Sequence, residues 1–104
     1  MTGNLCEKIS EIVSYAKNDH LGFHIQYLWN GSRRRFVPDF LIRYANGLTL
    51  VLEIKGEDSR QNQAKRVALA EWVHAVNSAG LFGRWASDVA FQPSEIQGLL
   101  QNYT

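Results

Sequence analysis

The first apolar positions of the chain recur at the spacing of an α-helix. From residue 5 to residue 16 they form one helical stripe, made of Leu5, Ile9, Ile12, Val13 and Ala16. Asn4 suits the N-cap, and Glu7 follows in the position of a capping box. The pattern predicts an amphipathic helix that ends near Asn18-Asp19 and Gly22.

The next apolar positions are spaced as in β-strands. Residues 23–29 are aromatic and β-branched with partial alternation, and Asn30-Gly31-Ser32 follows as a tight turn. A second strand is predicted over residues 35–44 and a third over residues 48–55, with a turn at Ala45-Asn46-Gly47 between them. Gly56 ends the third strand.

A long helix is predicted over residues 60–79. Its apolar side chains repeat at the helical period, and Asp58 or Ser59 stands where an N-cap is needed. Gly80 occupies the position of a left-handed helix stop.

The last elements complete the predicted fold. Residues 83–91 read as a fourth strand, and Ser94 with Gln97 predicts a capped final helix. The order is αβββαβα, a three-strand meander flanked by helices, with a fourth strand added after a helical crossover. We therefore expect one α/β (α+β) domain over residues 1–104, built on a small mixed four-stranded sheet.

Composition excludes several classes of protein. The chain has 104 residues, of which 45% are hydrophobic, and its net charge is +1, values typical of one globular domain. The longest nearly unbroken apolar stretch, residues 48–54, is too short to span a membrane. The single Cys6 excludes an internal disulfide. The polar N-terminus does not read as a secretory signal, which favours the cytoplasm.

The most informative positions lie on the predicted second hairpin. One strand carries Pro38-Asp39, and the next ends in Glu53-Ile54-Lys55. Alternation along a strand puts Glu53 and Lys55 on one face and Ile54 on the other. A three-residue loop at Ala45-Asn46-Gly47 would place Asp39 directly opposite Glu53. A two-residue turn would instead point Asp39 into the apolar face, where an unpaired carboxylate is costly. We therefore predict that Asp39, Glu53 and Lys55 share one face.

Two opposed carboxylates repel each other unless a cation lies between them. Mg²⁺ prefers carboxylate oxygens, a backbone carbonyl and water, so the predicted ligands are Asp39, Glu53 and the carbonyl of Ile54, with Mn²⁺ as a substitute. The metal would acidify a bound water and screen charge on a phosphodiester. Lys55 would orient that water, hold it as hydroxide or donate to the phosphate. The same spacing also occurs at a solvated strand end with a surface ion pair.

These residues carry a resemblance to a known family. Phe36-Val37-Pro38-Asp39-Phe40, followed by Leu50-Val51-Leu52-Glu53-Ile54-Lys55-Gly56, resembles the Pro-Asp and Glu-x-Lys motif of the PD-(D/E)XK nuclease superfamily. The stretch continuing through Lys65, Trp72-Val73, Ala75-Val76-Asn77 and Gly83-Arg84-Trp85 is similar, more narrowly, to the C-terminal endonuclease domain of type III restriction enzyme Res subunits. The likeness covers residues 36–93.

The resemblance implies a fold, an activity and partners. The fold is the restriction-endonuclease-like αβββαβ core, and the activity is Mg²⁺-dependent cleavage of double-stranded DNA. Asp39 and Glu53 would be metal ligands, and Lys55 the catalytic base or water-orienting group. The resemblance also implies a helicase motor in the same polypeptide and a methyltransferase subunit, which would choose the DNA site.

Three further sets of residues are secondary candidates. Glu11, in preference to Glu7, would add an acid from the first helix, although both fall on its solvated face. Lys65, early in the long helix, would reach a phosphate or the cluster, or is a surface lysine. The run Arg33, Arg34 and Arg35 would grip the DNA backbone without reading sequence, or is a solvated turn.

Two other readings stay open at this point. One is a nuclease fold that has lost catalysis and serves as a docking or dimerisation module. The complete triplet of Asp39, Glu53 and Lys55 argues against it, because loss of activity usually removes a metal ligand or the lysine. The other is a DNA-repair or RNA-directed nuclease with the same chemistry. Assembly as a homodimer also stays open.

Overall fold

The computed structural model describes residues 11–18, 22–55 and 59–104. No helix in these ranges is both long and apolar enough to cross a membrane. The elements, in chain order, are β1 (Ile12–Lys17), β2 (Ile25–Trp29), β3 (Ser32–Phe36), β4 (Phe40–Tyr44), β5 (Leu48–Ile54), α1 (Arg60–Ala79), β6 (Arg84–Ala90), a 3-10 turn (Pro93–Glu95) and α2 (Ile96–Gln101).

Four of the strands form a mixed sheet in the order β1-β4-β5-β6. The pairs β1–β4 and β4–β5 are antiparallel, whereas β5–β6 is parallel. The parallel pair is joined through α1, as parallel neighbours require a crossover connection. Strands β2 and β3 form a separate two-stranded hairpin. The predicted small mixed four-stranded sheet is therefore confirmed, but β1 stands in it where the strand over residues 23–29 was predicted, and only residues 40–44 of the strand predicted over residues 35–44 belong to it.

The helix predicted over residues 5–16 is wrong for the part that the structure describes. Residues from Ile12 to Lys17 form β1, which pairs with β4 through a register irregularity between Ile12 and Ser14. Ile12 and Val13 are β-branched, which lowers helix propensity and favours a strand. The remainder of the predicted helix, residues 5–10, lies outside the described residues.

The single strand predicted over residues 35–44 is also wrong. The chain forms two strands there, because Pro38 has no N–H to donate to a ladder. Strand β3 ends at Phe36 and pairs with β2, while β4 begins at Phe40 and pairs with β1 and β5. The predicted order αβββαβα is replaced by βββββαβα over the described residues.

The register of β4 against β5 is the predicted one. Phe40 pairs with Leu52, and Ile42 pairs with Leu50. The connection is the predicted three-residue loop, in which the Gly47 N–H donates to the Tyr44 carbonyl at 3.1 Å. Gly47 has a φ of 89°, a conformation that glycine adopts without steric cost.

Each face of the four-stranded sheet has its own core. The α1 face is covered by α1 and the β2–β3 hairpin, and its buried side chains are Ile25, Tyr27, Phe36, Val51, Leu69 and Val73. The α2 face is covered by α2, and its buried side chains are Ile42, Tyr44, Leu50, Leu52, Ala90, Ile96, Leu99 and Leu100. Strand β5 is therefore buried on both sides of its pleat.

Both helix boundaries of α1 agree with the prediction. The Ser59 side chain accepts a hydrogen bond from the Asn62 N–H at 3.1 Å, and Gly80 is left-handed with a φ of 69°. The predicted Ser94 cap of the final helix is wrong, since α2 begins at Ile96 after the 3-10 turn and has no side-chain cap.

Candidate active site

Asp39 and Glu53 are brought together at one end of the sheet. One residue beyond the Phe40–Leu52 pair, the same register puts Asp39 beside Glu53. The Asp39 N–H donates to Glu53 Oε1 at 2.8 Å, and the Ile54 N–H donates to Asp39 Oδ2 at 2.7 Å. Each carboxylate is thus held by the main chain of the opposite segment.

Lys55 completes the cluster. Its Nζ lies 2.7 Å from Glu53 Oε2, and the two side chains are 17% and 3% exposed, respectively. Alternation along β5 puts both on the α1 face, two and four residues beyond the buried Val51. The ion pair is therefore largely enclosed, which distinguishes it from a solvated surface pair.

Burial raises the pKa of Glu53 above its ordinary value of 4.5. The Lys55 hydrogen bond opposes this, while the nearby Asp39 charge adds to it. Lys55 therefore offsets only part of the free-energy cost of ionising Glu53. A second cation beside the two carboxylates would stabilise the ionised form of Glu53 further.

Comparison with known proteins gives no family for the chain. No family model, curated protein or solved structure matches it. The function has to be inferred from the chemistry of the site itself.

A divalent cation such as Mg²⁺ at the cluster would need oxygen ligands besides the two carboxylates. Among the described residues no group of three His, Cys, Asp or Glu side chains could hold a metal ion. Two carboxylates are present, those of Asp39 and Glu53. In an extended strand the N–H and C=O of one residue point to the same side, so the Ile54 carbonyl lies on the side where its N–H meets Asp39. Carboxylates and carbonyls are the oxygen donors that Mg²⁺ accepts.

Asn18, predicted to end the first helix, also lies at this end of the sheet. Its N–H donates to the Asp39 carbonyl at 2.8 Å. The residue is 3% exposed, and its Nδ2 donates to the Phe23 carbonyl at 2.9 Å. Its polar character at the end of β1 is the one feature of the sequence that could have indicated a site residue. It was missed because residues 5–16 were predicted to be helical.

The structure does not bring Glu11 to the cluster. Its carbonyl accepts from the Ala45 N–H at 2.7 Å, at the opposite end of β4 from Asp39. Five residues of strand separate the two ends, which is roughly 17 Å at about 3.3 Å per residue. Glu7 lies outside the described residues.

Lys65 packs beside the hairpin rather than in free solvent. Its Nζ lies 6.0 Å from the centre of the Tyr27 ring, within the range of a cation–π contact. The Tyr27 hydroxyl also accepts from Gln61 Nε2 at 2.9 Å. These two contacts hold the first turns of α1 against β2. Lys65 is half-buried where the two elements meet.

The three consecutive arginines all lie on β3 and are all exposed. Arg33 and Arg35 pair with the exposed Leu28 and Gln26, whereas Arg34 pairs with the buried Tyr27. Successive side chains of a strand point to opposite faces. Arg33 and Arg35 therefore share one face of the hairpin, and Arg34 occupies the other.

A cleft of about 570 Å³ lies between the hairpin and α1. Arg33 and Glu71 contribute charge to its lining, and Leu28 and Val67 contribute exposed apolar surface. Asp39, Glu53 and Lys55 are not among its lining residues. The carboxylate cluster is thus separate from this cleft.

Proposed function

We propose that this chain is a metal-dependent nuclease domain of the PD-(D/E)XK type that hydrolyses phosphodiester bonds of double-stranded DNA. The observation that carries the proposal is the convergence of Asp39, Glu53 and Lys55 at one end of the sheet, where the Glu53 carboxylate contacts both the Asp39 N–H and Lys55 Nζ. A strand-end ion pair that served only to neutralise charge would not need the second carboxylate, which raises the cost of ionising Glu53.

The chain's own groups have distinct roles in this proposal. Asp39, Glu53 and the Ile54 carbonyl would hold Mg²⁺ or Mn²⁺, and the bound cation would supply Lewis acidity toward water and phosphate. Lys55 carries a donor at the edge of the buried cluster, where it would orient the attacking water or donate to a phosphate oxygen. The main-chain bonds to both carboxylates preorganise them, so little rearrangement is needed on binding.

The arrangement of strands supports the same proposal. Strands β1, β4 and β5 form a meander, and β6 is added in parallel after α1. This is the βββαβ portion of the core order expected from the resemblance, with the β2–β3 hairpin inserted between its first two strands. The first strand of the meander is β1 rather than the segment chosen from the sequence.

Arg33, Arg34 and Arg35 would contact the DNA backbone. A net charge of +1 is low for a chain that binds nucleic acid unaided, but exposed charges on one hairpin concentrate the field locally. Backbone contacts of this kind position a duplex without selecting a sequence. In the restriction-system form of the proposal, a helicase motor in the same polypeptide and a methyltransferase subunit would choose the site in the cytoplasm.

A plasmid-nicking assay tests the proposal. Purified protein is incubated with supercoiled plasmid in Mg²⁺, in Mn²⁺ and in EDTA, and Asp39→Asn, Glu53→Gln and Lys55→Ala are compared with wild type. We expect metal-dependent nicking by wild type, which each variant lowers by about a hundredfold or more. Glu71→Gln on α1 is the matched control for loss of a carboxylate, and it should retain wild-type activity.

The outcome that contradicts the proposal is equally specific. Nicking that survives in all three folded variants would show that a contaminant or another site is responsible. Absence of nicking by wild type, combined with absence of Mn²⁺ binding, would exclude a metal-dependent nuclease in this chain.

A further inference from the structure

Asn18, Asp39 and Glu53 occupy neighbouring strands at the same end of the sheet. The β1–β4 register pairs Ala16 with Leu41 and Lys17 with Phe40, and the next step puts Asn18 beside Asp39. The hydrogen bond from the Asn18 N–H to the Asp39 carbonyl fixes this neighbourhood. Since alternate residues share a face, Asn18 is on the α1 face together with Ala16. The polar row thus begins on β1, one strand before the two carboxylates.

The side-chain oxygen of Asn18 is buried without a partner. Among the described residues, no group donates a hydrogen bond to Oδ1, and the atom has no contact with solvent. A buried acceptor left unsatisfied costs about 1–3 kcal/mol, and native structures contain few of them. The partner of this oxygen, whether a bound cation or an ordered water, therefore lies outside the described protein atoms.

The orientation of the amide is determined by its other end. Nδ2 donates to the Phe23 carbonyl at 2.9 Å. If the amide were rotated by half a turn, two oxygens would face each other and a donor would be directed into the unsatisfied position. The Phe23 carbonyl therefore keeps Oδ1 as the free atom, on a side chain that neighbours Asp39 in the row.

We infer that Oδ1 of Asn18 is an additional oxygen donor at the proposed cation site, beside the carboxylates of Asp39 and Glu53. The inference rests on the proposed function, because it requires a cation at the cluster. The cation would be the missing partner of Asn18 Oδ1. In turn, Oδ1 would be a third side-chain ligand at a site where the described residues supply only two carboxylates.

A neutral donor is physically suited to this position. Glu53 is 2% exposed and already has the carboxylate of Asp39 as a neighbour. A third carboxylate would add repulsion whenever the cation is absent, whereas an amide oxygen adds a ligand without charge. Amide carbonyls are accepted by hard cations alongside carboxylates.

A purely structural role for Asn18 predicts different behaviour. In that case Asn18 would matter only through its hydrogen bond to the Phe23 carbonyl, which links the end of β1 to the residues just before β2. Replacing Asn18 with either Ala or Asp removes that donor. Stability would fall in both variants, and metal affinity would change in neither or equally in both.

The experiment is a Mn²⁺ titration followed by electron paramagnetic resonance, with thermal unfolding of each protein in EDTA and in Mn²⁺. Asn18→Ala should weaken Mn²⁺ binding by about tenfold or more. Asn18→Asp, which replaces the amide oxygen with a carboxylate, should bind at least about tenfold more tightly than Asn18→Ala. It should also be less stable than wild type in EDTA and recover on adding Mn²⁺.

Two controls locate the ion. Asp39→Asn should abolish the same binding event, which assigns it to the cluster. Asn46→Asp, at the far end of the sheet, changes an asparagine whose Nδ2 also donates to a backbone carbonyl. It should leave Mn²⁺ affinity unchanged.

The results separate failure of this inference from failure of the proposed function. If wild type binds Mn²⁺ in an Asp39-dependent way, but Asn18→Ala and Asn18→Asp share one affinity, the inference is wrong and the proposed function stands. If wild type does not bind Mn²⁺, or if Asp39→Asn binds as wild type does, both are wrong. A Mn²⁺ affinity that is at least about tenfold higher for Asn18→Asp than for Asn18→Ala supports the inference.

Discussion

The backbone of Asp39 holds the side chain of Glu53, while the side chain of Asp39 is held by the backbone next to Glu53. The first contact is the Asp39 N–H to Glu53 Oε1 at 2.8 Å, and the second is the Ile54 N–H to Asp39 Oδ2 at 2.7 Å. Two carboxylates are therefore kept close together without a direct bond between them. The repulsion that this geometry stores is the basis of the first predictions.

Glu53→Gln should separate stability from metal binding. Burial raises the pKa of Glu53, so its ionised form carries a desolvation cost at neutral pH. Glu53→Gln removes that cost, but it also removes the ion pair with Lys55. In EDTA we expect the free energy of unfolding to change by less than about 1 kcal/mol or to increase, while Mn²⁺ binding is lost. A decrease of more than about 3 kcal/mol in chemical denaturation would show that the carboxylate serves stability instead.

The same variant gives a prediction for pH dependence in EDTA. The folded state holds the Glu53 proton at pH values where the unfolded state, with a pKa near 4.5, has released it. The folded state then binds more protons, so stability falls as pH rises through this interval. The unfolding free energy of wild type, minus that of Glu53→Gln, should therefore fall as pH rises through this interval. A signed difference that rises with pH would contradict the raised pKa of Glu53.

Lys55→Met should destabilise the metal-free protein. The change leaves Glu53, whose side chain is 3% exposed, without its cationic partner. We expect a loss of roughly 2–3 kcal/mol in EDTA, less than for a fully enclosed pair because Lys55 retains some exposure. Saturating Mg²⁺ should restore more stability to this variant than to wild type, since a cation replaces the missing charge.

A double-mutant cycle checks the cause. Adding Glu53→Gln to Lys55→Met removes the buried charge as well, and should recover most of the stability lost in EDTA. If the double variant is as unstable as Lys55→Met alone, the lysine stabilises the fold through its packing rather than through its charge.

The two faces of the hairpin should differ in DNA binding. Arg33 and Arg35 lie on one face and Arg34 on the other. We expect Arg33→Ala with Arg35→Ala to weaken duplex binding and to reduce the slope of log affinity against log salt by about one for each phosphate contact removed. Arg84→Ala, at the far end of the sheet, is the matched control and should leave the slope unchanged. Equal slopes in the hairpin variant and wild type would show that the Arg33 and Arg35 face does not contact DNA.

Tyr103 gives a prediction at alkaline pH. Burial, together with the hydrogen bond to the Asp88 carboxylate at 2.8 Å, raises its pKa to about 12 from the ordinary 10.0. The unfolded state therefore loses the phenolic proton first, and stability falls as pH rises between these values. The stability advantage of wild type over Tyr103→Phe should be present at pH 8 and decline toward pH 12. In absorbance titrations, Asp88→Asn should lower the pKa of Tyr103; no change would contradict the role of Asp88.

Local signals were sufficient to predict α1 and the β4–β5 hairpin from the sequence. The limits of α1 depend on Ser59 and Gly80, which act within a turn of the helix end. The hairpin register depends on the three-residue loop ending in Gly47 and on the cost of turning Asp39 into an apolar face. Both are decided by residues close to one another in the chain, and the site residues Glu53 and Lys55 are placed by the same register.

The remaining elements depend on partners that are distant in the chain. Strand β1 is stabilised by pairing with β4, where Tyr15 opposes Ile42, and its Ile12, Val13 and Ala16 also satisfy a helical stripe. No local pattern distinguishes these two outcomes. The part of the site that depends on β1, Asn18, could not be predicted for the same reason.

The hairpin leaves and re-enters the body of the protein at adjacent points, because Ile25 pairs with Phe36. Its tip can therefore lengthen or shorten by equal increments on both strands without altering where the chain arrives at Asp39. Steps of two residues per strand would preserve the assignment of side chains to faces. Hairpins of different length are thus compatible with one constant carboxylate geometry.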